Sequence, residues 1–404
     1  MRDVYIAAAA RTAIGKMGGA LRDVQPEELA RVVLDAIPAR AGIEKSDIDM
    51  VILGQTRQST DAANIARVAA LMADYPETVP AYTVMMQCSS GMQAIHSAAD
   101  TIRCGNADVI VAGGVESLSN AIFYIRGARY GLGTGNTQLV DSVPEGQLRS
   151  QPIEKYGSFN MGDTAENVAE EYTISREDQD LFAYNSQMKA ARALEKGIFK
   201  DEIVPVEIPQ KKGKPIVFDV DEFPRPNTTM EGLAKLKPVF RKDGKGSVTA
   251  GNACGRNDGA AVLLLMSEEK VKELGVKPLA KIIGQASVGV DPRFMGIGPV
   301  DASKKALKRA GLKVEDIGRV ELNEAFAAQS LACIRELGLD PDIVNVNGGA
   351  IALGHPLGAS GARITITLLY EMLRSGTKYG LSTLCVGGGQ GCATVLERVE
   401  SWEL

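Results

Sequence analysis

Histidine is almost missing from this chain: His96 and His355 are the two among 404 residues. They stand far apart, and the six cysteines (Cys88, Cys104, Cys254, Cys333, Cys385 and Cys392) show no short paired spacing. Neither a metal-ligand cluster nor a disulfide framework is expected from such a set, and we read free thiols in a reducing, cytoplasmic setting. A net charge of -5 lacks the basic excess that nucleic acid or an anionic membrane surface would require. It leaves room for a local basic patch toward a phosphorylated ligand. No apolar stretch approaches the roughly 18 residues of a membrane span, and Met1 to Ile6 runs straight into a strand-like segment, so neither a signal peptide nor a span is expected. The terminus Ser401-Trp402-Glu403-Leu404 is not a peroxisomal address. At 45% hydrophobic, the chain is long enough for two or three domains with a substantial core and no staple.

What is present is an internal duplication. Ala41-Gly42-Ile43-Glu44-Lys45-Ser46-Asp47-Ile48 is echoed by Ala310-Gly311-Leu312-Lys313-Val314-Glu315-Asp316-Ile317 at an offset of 269 residues. Around this pair the expected elements run in parallel: a helix over 26–37 against 299–310, a helix over 65–73 against 327–337, and a strand over 81–84 against 343–346. Ser90-Gly91 aligns with Ser360-Gly361, each opening a helix, and strand 108–113 answers 380–386. The last strand breaks the spacing. Gly259-Ala260-Ala261-Val262 resembles Gly391-Cys392-Ala393-Thr394 at an offset of 132, so the first half carries 137 extra residues. This insertion, from about Leu118 to Ala250, is more polar and reads as a lid or loop domain. The expected division is 1–118 plus 251–275, an inserted 119–250, and 276–404, in a layered α/β fold of mainly parallel sheets covered on both faces.

Chemistry-bearing residues gather at equivalent turns of the two halves. Cys88 stands just ahead of a helix, where free amides and the dipole favour a thiolate, which makes it the natural nucleophile against the alternative of a small buried residue. His355 sits in the matching glycine-rich turn of the second half, within reach of Cys88 if the halves pack about a pseudo-twofold axis. His96, inside a helix, reads as a packed core histidine. Cys385 ends a buried strand before Val386-Gly387-Gly388-Gly389-Gln390-Gly391, a place for acid/base work or for a buried structural cysteine. Asn323 and Glu324 follow a strand and open a helix, either as a cap or as groups that orient water or imidazole.

Cys88-Ser89-Ser90-Gly91, Asn323-Glu324-Ala325-Phe326, Gly354-His355-Pro356 and Cys385-Val386-Gly387-Gly388-Gly389-Gln390-Gly391, in that order and across the whole chain, resemble the thiolases. Met161-Gly162-Asp163 and Thr249-Ala250-Gly251-Asn252 extend the likeness. The resemblance implies a five-layered α/β/α/β/α fold with an inserted loop domain, and reversible Claisen chemistry on coenzyme A thioesters. Cys88 would take the acyl group, His355 its thiol proton, and Cys385 would serve as acid/base. Asn323, through a water, and His355 would hold the thioester or enolate oxygen, and the amides of Cys88 and Gly387 the tetrahedral oxyanion. Met161, Arg225, Phe240, Ala250 and Cys254 fall where the family binds CoA, and Met295 and Phe326 where it lines the acyl pocket. Acyl-CoA and CoA are then substrates, no cofactor is permanently bound, no metal is needed, and a homodimer or homotetramer is expected. Three positions depart from the pattern. Asn160 stands where short-chain acetoacetyl-CoA thiolases usually carry histidine, Cys254 where many relatives carry serine, and Met85 where asparagine is common. The alternatives are a decarboxylating condensing enzyme, a 3-hydroxy-3-methylglutaryl-CoA synthase-like enzyme, or a non-catalytic CoA or lipid binding protein of the same fold. The first two use histidine or glutamate where this chain has Cys385.

Overall fold

The structure, a computed structural model, describes residues 2–401. Trp402, Glu403 and Leu404, on which the reading of the terminus rests, lie outside the described residues. Counted from the outer edge inward, the strands of the first half are Ala81–Val84, Met50–Gly54, Val109–Ser117, Asn257–Ser267 and Val4–Thr12. Those of the second half are Arg319–Leu322, Tyr379–Val386, Gln390–Arg398 and Ala280–Gly289. The innermost strands pair antiparallel, Tyr5 with Lys281 and Ile6 with Ala280, which joins the halves. Pairing directions repeat as well. Met50–Gly54 runs parallel to Val109–Ser117 as Arg319–Leu322 does to Tyr379–Val386, and the next pair in each half is antiparallel.

Every residue of Val4–Thr12, Val109–Ser117 and Asn257–Ser267 is buried, as strands covered on both faces must be. Helix Pro26–Ala41, carrying Leu29, Val33, Leu34 and Ile37 on one stripe, covers the outer face of the first half with Ile65–Met72. Gly298–Ala310 and Ala327–Leu337 cover the second half. Between the two halves of the sheet lie Ser90–Arg103 and Leu357–Ser375, packed against each other, which completes the α/β/α/β/α stack. Their first turns cross at backbone contact. A Cβ on Gly361 would lie 2.6 Å from the Met92 nitrogen, and one on Gly91 2.7 Å from the Gly358 carbonyl oxygen. Only glycine permits that approach, and it brings the turns before both helices together.

The second half departs from the expected pattern at 343–346. Instead of a strand there is a short turn, Pro341–Ile343, then a single bridge from Val344 to Val320. Asn345 has φ +44°, which ends any strand. Its side-chain amide takes over the ladder, accepting from the Leu322 N–H at 2.9 Å and donating to the Leu322 carbonyl at 2.8 Å. The segment between Leu118 and Ala250 contributes helices Met161–Glu171 and Arg176–Glu195 and the hairpin Val206–Ile208 with Ile216–Phe218. Fully buried Arg11 ties it to the innermost strand, with Glu202 at 2.7 Å and Asp221 at 2.8 Å. Removing one partner of such a pair costs about 3–5 kcal/mol, because the other charge is left buried alone. Among the described residues no helix is long and apolar enough to cross a membrane.

Candidate active site

At the crossing of the central helices, one cavity of about 140 Å³ is lined by Cys88, His355 and Cys385 together. Cys254, Met161, Phe240, Met295 and Phe326 form its walls with Ala253 and Leu357. The apolar part is a packed cluster in which the rings of Phe240 and Phe326 meet edge to face at 6.3 Å. Two residues expected at the CoA site do not line this cavity. Ala250 is exposed and away from the cavity lining, and exposed Arg225 lies 5.3 Å from the ring of Phe223. Asn160 does not reach the cavity either. Its side chain caps helix Met161–Glu171 by accepting from Gly162 N at 2.8 Å and Asp163 N at 3.2 Å, which is the local use of an asparagine at that position.

Cys88 is carried on a strained turn. Gln87 just before it has φ +45°, and its carbonyl is held by the Ser90 hydroxyl at 2.7 Å and by the Thr56 hydroxyl at 3.1 Å. The partly exposed thiol faces the backbone amide of Gly387, which favours a thiolate, yet burial outweighs this and raises the Cys88 pKa. The lowered pKa expected from the helix start is therefore overturned: the apolar surroundings dominate. Cys385 is likewise pushed well above the usual thiol range by burial, and Cys254 to about 12.

His355 is buried, and its orientation follows from three bonds. Its backbone N–H donates to Asn257 Oδ1 at 2.9 Å, and Nδ1 meets Ser360 Oγ at 2.6 Å. The Ser360 hydroxyl donates its one proton to the Pro356 carbonyl at 3.0 Å. It can then only accept from the ring, so Nδ1 carries the hydrogen and Nε2 presents a lone pair. Nε2 has no protein partner. Burial, with the nearby Arg363 charge, lowers the His355 pKa to about 3, so the imidazole is neutral and able to accept a proton. Asn323 is fully buried, its N–H bonded to the Thr383 carbonyl at 3.0 Å, and neither side-chain atom has a protein partner. A buried amide left open in this way costs about 1–3 kcal/mol, so its retention points to a bound group. Glu324, in contrast, is saturated by Ser186, Asn345 and the Ile351 N–H, and it fixes the loops. The sequence reading missed Asn257, which lies 98 positions before its partner His355, and the hydrogen-bonding part played by Ser360. Only the alignment of Ser360 with Ser90 pointed at the latter.

A duplicated five-layered fold with a neutral histidine and two thiols at its crossing, and a buried open amide just after strand Arg319–Leu322, defines a protein built for acyl transfer through cysteine. Residues 4–269 match the thiolase N-terminal domain and residues 276–398 the thiolase C-terminal domain. The chain is 53% identical over 398 residues to the acetyl-CoA acetyltransferase of Pseudomonas aeruginosa, covering 98% of this chain and 100% of that one. It is 50% identical to a probable acetyl-CoA acyltransferase of Staphylococcus aureus, with 98% and 100% covered. Among solved structures, the Bacillus anthracis acetyl-CoA acetyltransferase superposes with a TM-score of 0.95 at 50% identity, covering 99% of each chain. Human mitochondrial 3-ketoacyl-CoA thiolase does so with 0.93 at 43%, covering 98% of this chain and 99% of that one. The chain belongs to the thiolase family, and it is an acyltransferase.

Proposed function

We propose that this chain catalyses the reversible reaction of acyl-CoA and acetyl-CoA to 3-ketoacyl-CoA and CoA, through an acyl group carried on Cys88. The observation that carries this reading is the single cavity shared by Cys88, Cys385 and the unpartnered Nε2 of His355. As the Cys88 sulfur attacks the thioester carbonyl, its proton passes to His355 Nε2. The carbon–sulfur bond to CoA breaks, and CoA leaves with a proton from Cys385. The Cys385 thiolate then removes the α-proton of acetyl-CoA, the resulting carbon attacks the acyl-Cys88 carbonyl, and Cys88 departs and regains its proton from His355. Asn323 (through a water) and His355 hold the thioester or enolate oxygen, and the amides of Cys88 and Gly387 hold the tetrahedral oxyanion. Both thiols start protonated and the imidazole neutral, so charge appears only as substrate brings its carbonyl to these donors.

The 119–250 segment serves as the CoA-binding loop domain, with Arg225 at the surface suited to a phosphate and Met161, Phe240 and Cys254 along the pantetheine path. Met295 and Phe326 bound the acyl pocket. A homodimer or homotetramer is supported by the sheet edge Ala81–Val84, where Tyr82 and adjacent Met85 are exposed at 40% and 54%. Unpaired thiols fit a cytoplasmic setting.

Mass spectrometry after incubation with acetyl-CoA tests the reading. One acetyl adduct is expected on the wild-type protein and none on Cys88→Ala. Cys385→Ala is expected to acylate but to condense at least about 10²-fold more slowly, the usual contribution of a positioned acid/base. An undiminished adduct on Cys88→Ala, or full turnover by Cys385→Ala, overturns the assignment.

A further inference from the structure

Glu116 is the next-to-last residue of the buried strand Val109–Ser117 and is itself 0% exposed. Its Oε2 accepts from the Gly358 N–H at 2.9 Å and the Thr56 N–H at 3.1 Å, and Oε1 accepts from the Arg57 N–H at 3.0 Å. All three partners are backbone donors from two distant segments, one in each half of the duplicated scaffold. Gly358 lies in the first turn of helix Leu357–Ser375, three residues after His355, and its carbonyl is pressed so close to Gly114 that a Cβ there would lie 2.0 Å from it. Thr56 belongs to the loop after strand Met50–Gly54, and its hydroxyl donates at 3.1 Å to the carbonyl of Gln87, the strained residue before Cys88. One carboxylate thus holds both turns, without touching the cavity itself.

We propose that Glu116 is a positioning residue that sets the Cys88 turn and the His355 turn at their working separation. The proposal rests on the roles given above to Cys88 and His355. A carboxylate suits the task, because it offers acceptors to three N–H groups and brings no donor of its own. An amide at the same place must turn its NH₂ toward at least one N–H, so the clamp opens at one end whichever way it is oriented. A shift of about 1 Å in reacting groups costs on the order of 10²-fold in rate.

The test compares wild type, Glu116→Gln and Thr56→Val. Thr56→Val keeps the carboxylate and its three N–H bonds but removes the hydroxyl that joins Gln87 and also lies against Glu116. Two readouts are taken: the rate of Cys88 acetylation against acetyl-CoA concentration, and the pH dependence of Cys88 alkylation by iodoacetamide. Glu116→Gln is expected to lower the maximal acetylation rate by about 10²-fold with half-saturation changed less than about twofold. Its alkylation profile is expected to move to lower pH, because the Glu116 charge opposes ionisation of Cys88. A more acidic thiol that transfers acetyl more slowly is the signature of lost alignment, which general loosening would not produce. Thr56→Val is expected to slow acetylation by about tenfold, the loss of a single link. Wild-type acetylation in both variants, or an unmoved alkylation profile in Glu116→Gln, overturns the proposal. If Glu116→Gln does not fold, Thr56→Val decides alone, and a wild-type acetylation rate in it is overturning. If wild-type protein takes no acetyl group, the functional reading fails, while alkylation still reports whether Glu116 acts on Cys88.

Discussion

The two histidines occupy environments that agree in almost every respect. Each is 3% exposed, each has its pKa lowered to about 3 by burial, and each has an arginine as the next cause. His96 lies within the central helix Ser90–Arg103, and its Nε2 meets Thr394 Oγ1 at 2.8 Å. His355 lies in a turn, and its Nε2 meets nothing in the protein. Burial and charge state therefore do not mark the reactive one. The distinction is a single ring nitrogen, closed by a strand hydroxyl in one case and open to a cavity in the other. A helix interior surrounds its side chains with packed neighbours, whereas a glycine-rich turn leaves space beside them.

The largest effect that could break this contrast is a difference in rate. His355→Asn removes the open lone pair, and acetylation of Cys88 is expected to fall by about 10²–10⁴-fold, the range of a general base. His96→Gln is expected to leave that rate within about twofold and to lower stability by roughly 1 kcal/mol, a lost buried hydrogen bond. Equal slowing in both variants would show that the histidines act through packing alone. A smaller effect sharpens the point. Ser360→Ala leaves His355 in place but frees its tautomer, and about tenfold slower acetylation is expected, the kinetic equivalent of one hydrogen bond. An unchanged rate would mean that something other than Ser360 sets the ring.

The contrast was partly legible before any coordinates. His355 between Gly354 and Pro356, and His96 inside an apolar helical stripe, already differ in local pattern, and the offset of 269 residues predicted the repeated strand order that the sheet displays. Local patterns carry such information because burial alternates with secondary-structure period. Three features were beyond their reach. Asn345 replaces a strand with its own side chain, so residues 343–346 look strand-like and are not. The Cys88 thiol is less acidic than its helix start implies, because desolvation depends on everything packed around it. Asn257 and Glu116 act across 98 and 242 positions, through bonds that no periodicity encodes.

The smallest predicted effect concerns what the histidines share. An unfolded histidine takes up a proton below pH 6.5, while both native ones hold out until about pH 3. Their native pKa values lie below the unfolded value, so the unfolded state binds more protons between these limits and stability falls as pH drops through them. Above pH 6.5 neither histidine adds any dependence. Glu321 acts in the opposite sense, since burial lifts its pKa to about 8, and the stability of its retained proton is lost as pH rises from 4.5 toward that value. The total pH curve therefore mixes the two signs, and a difference curve separates them. The stability of wild type minus that of His96→Gln, from urea unfolding between pH 5 and 8, is expected to be flat above pH 6.5. Below it the difference should decline by up to about 1.4 kcal/mol per pH unit, one proton's worth. His355→Asn should give the same slope despite its far larger effect on rate. Equal acid sensitivity with unequal catalysis would place the whole functional difference in the partner of Nε2, whereas flat difference curves down to pH 5 would mean that each ring takes up its proton at the same pH folded as unfolded, so that burial does not hold it neutral.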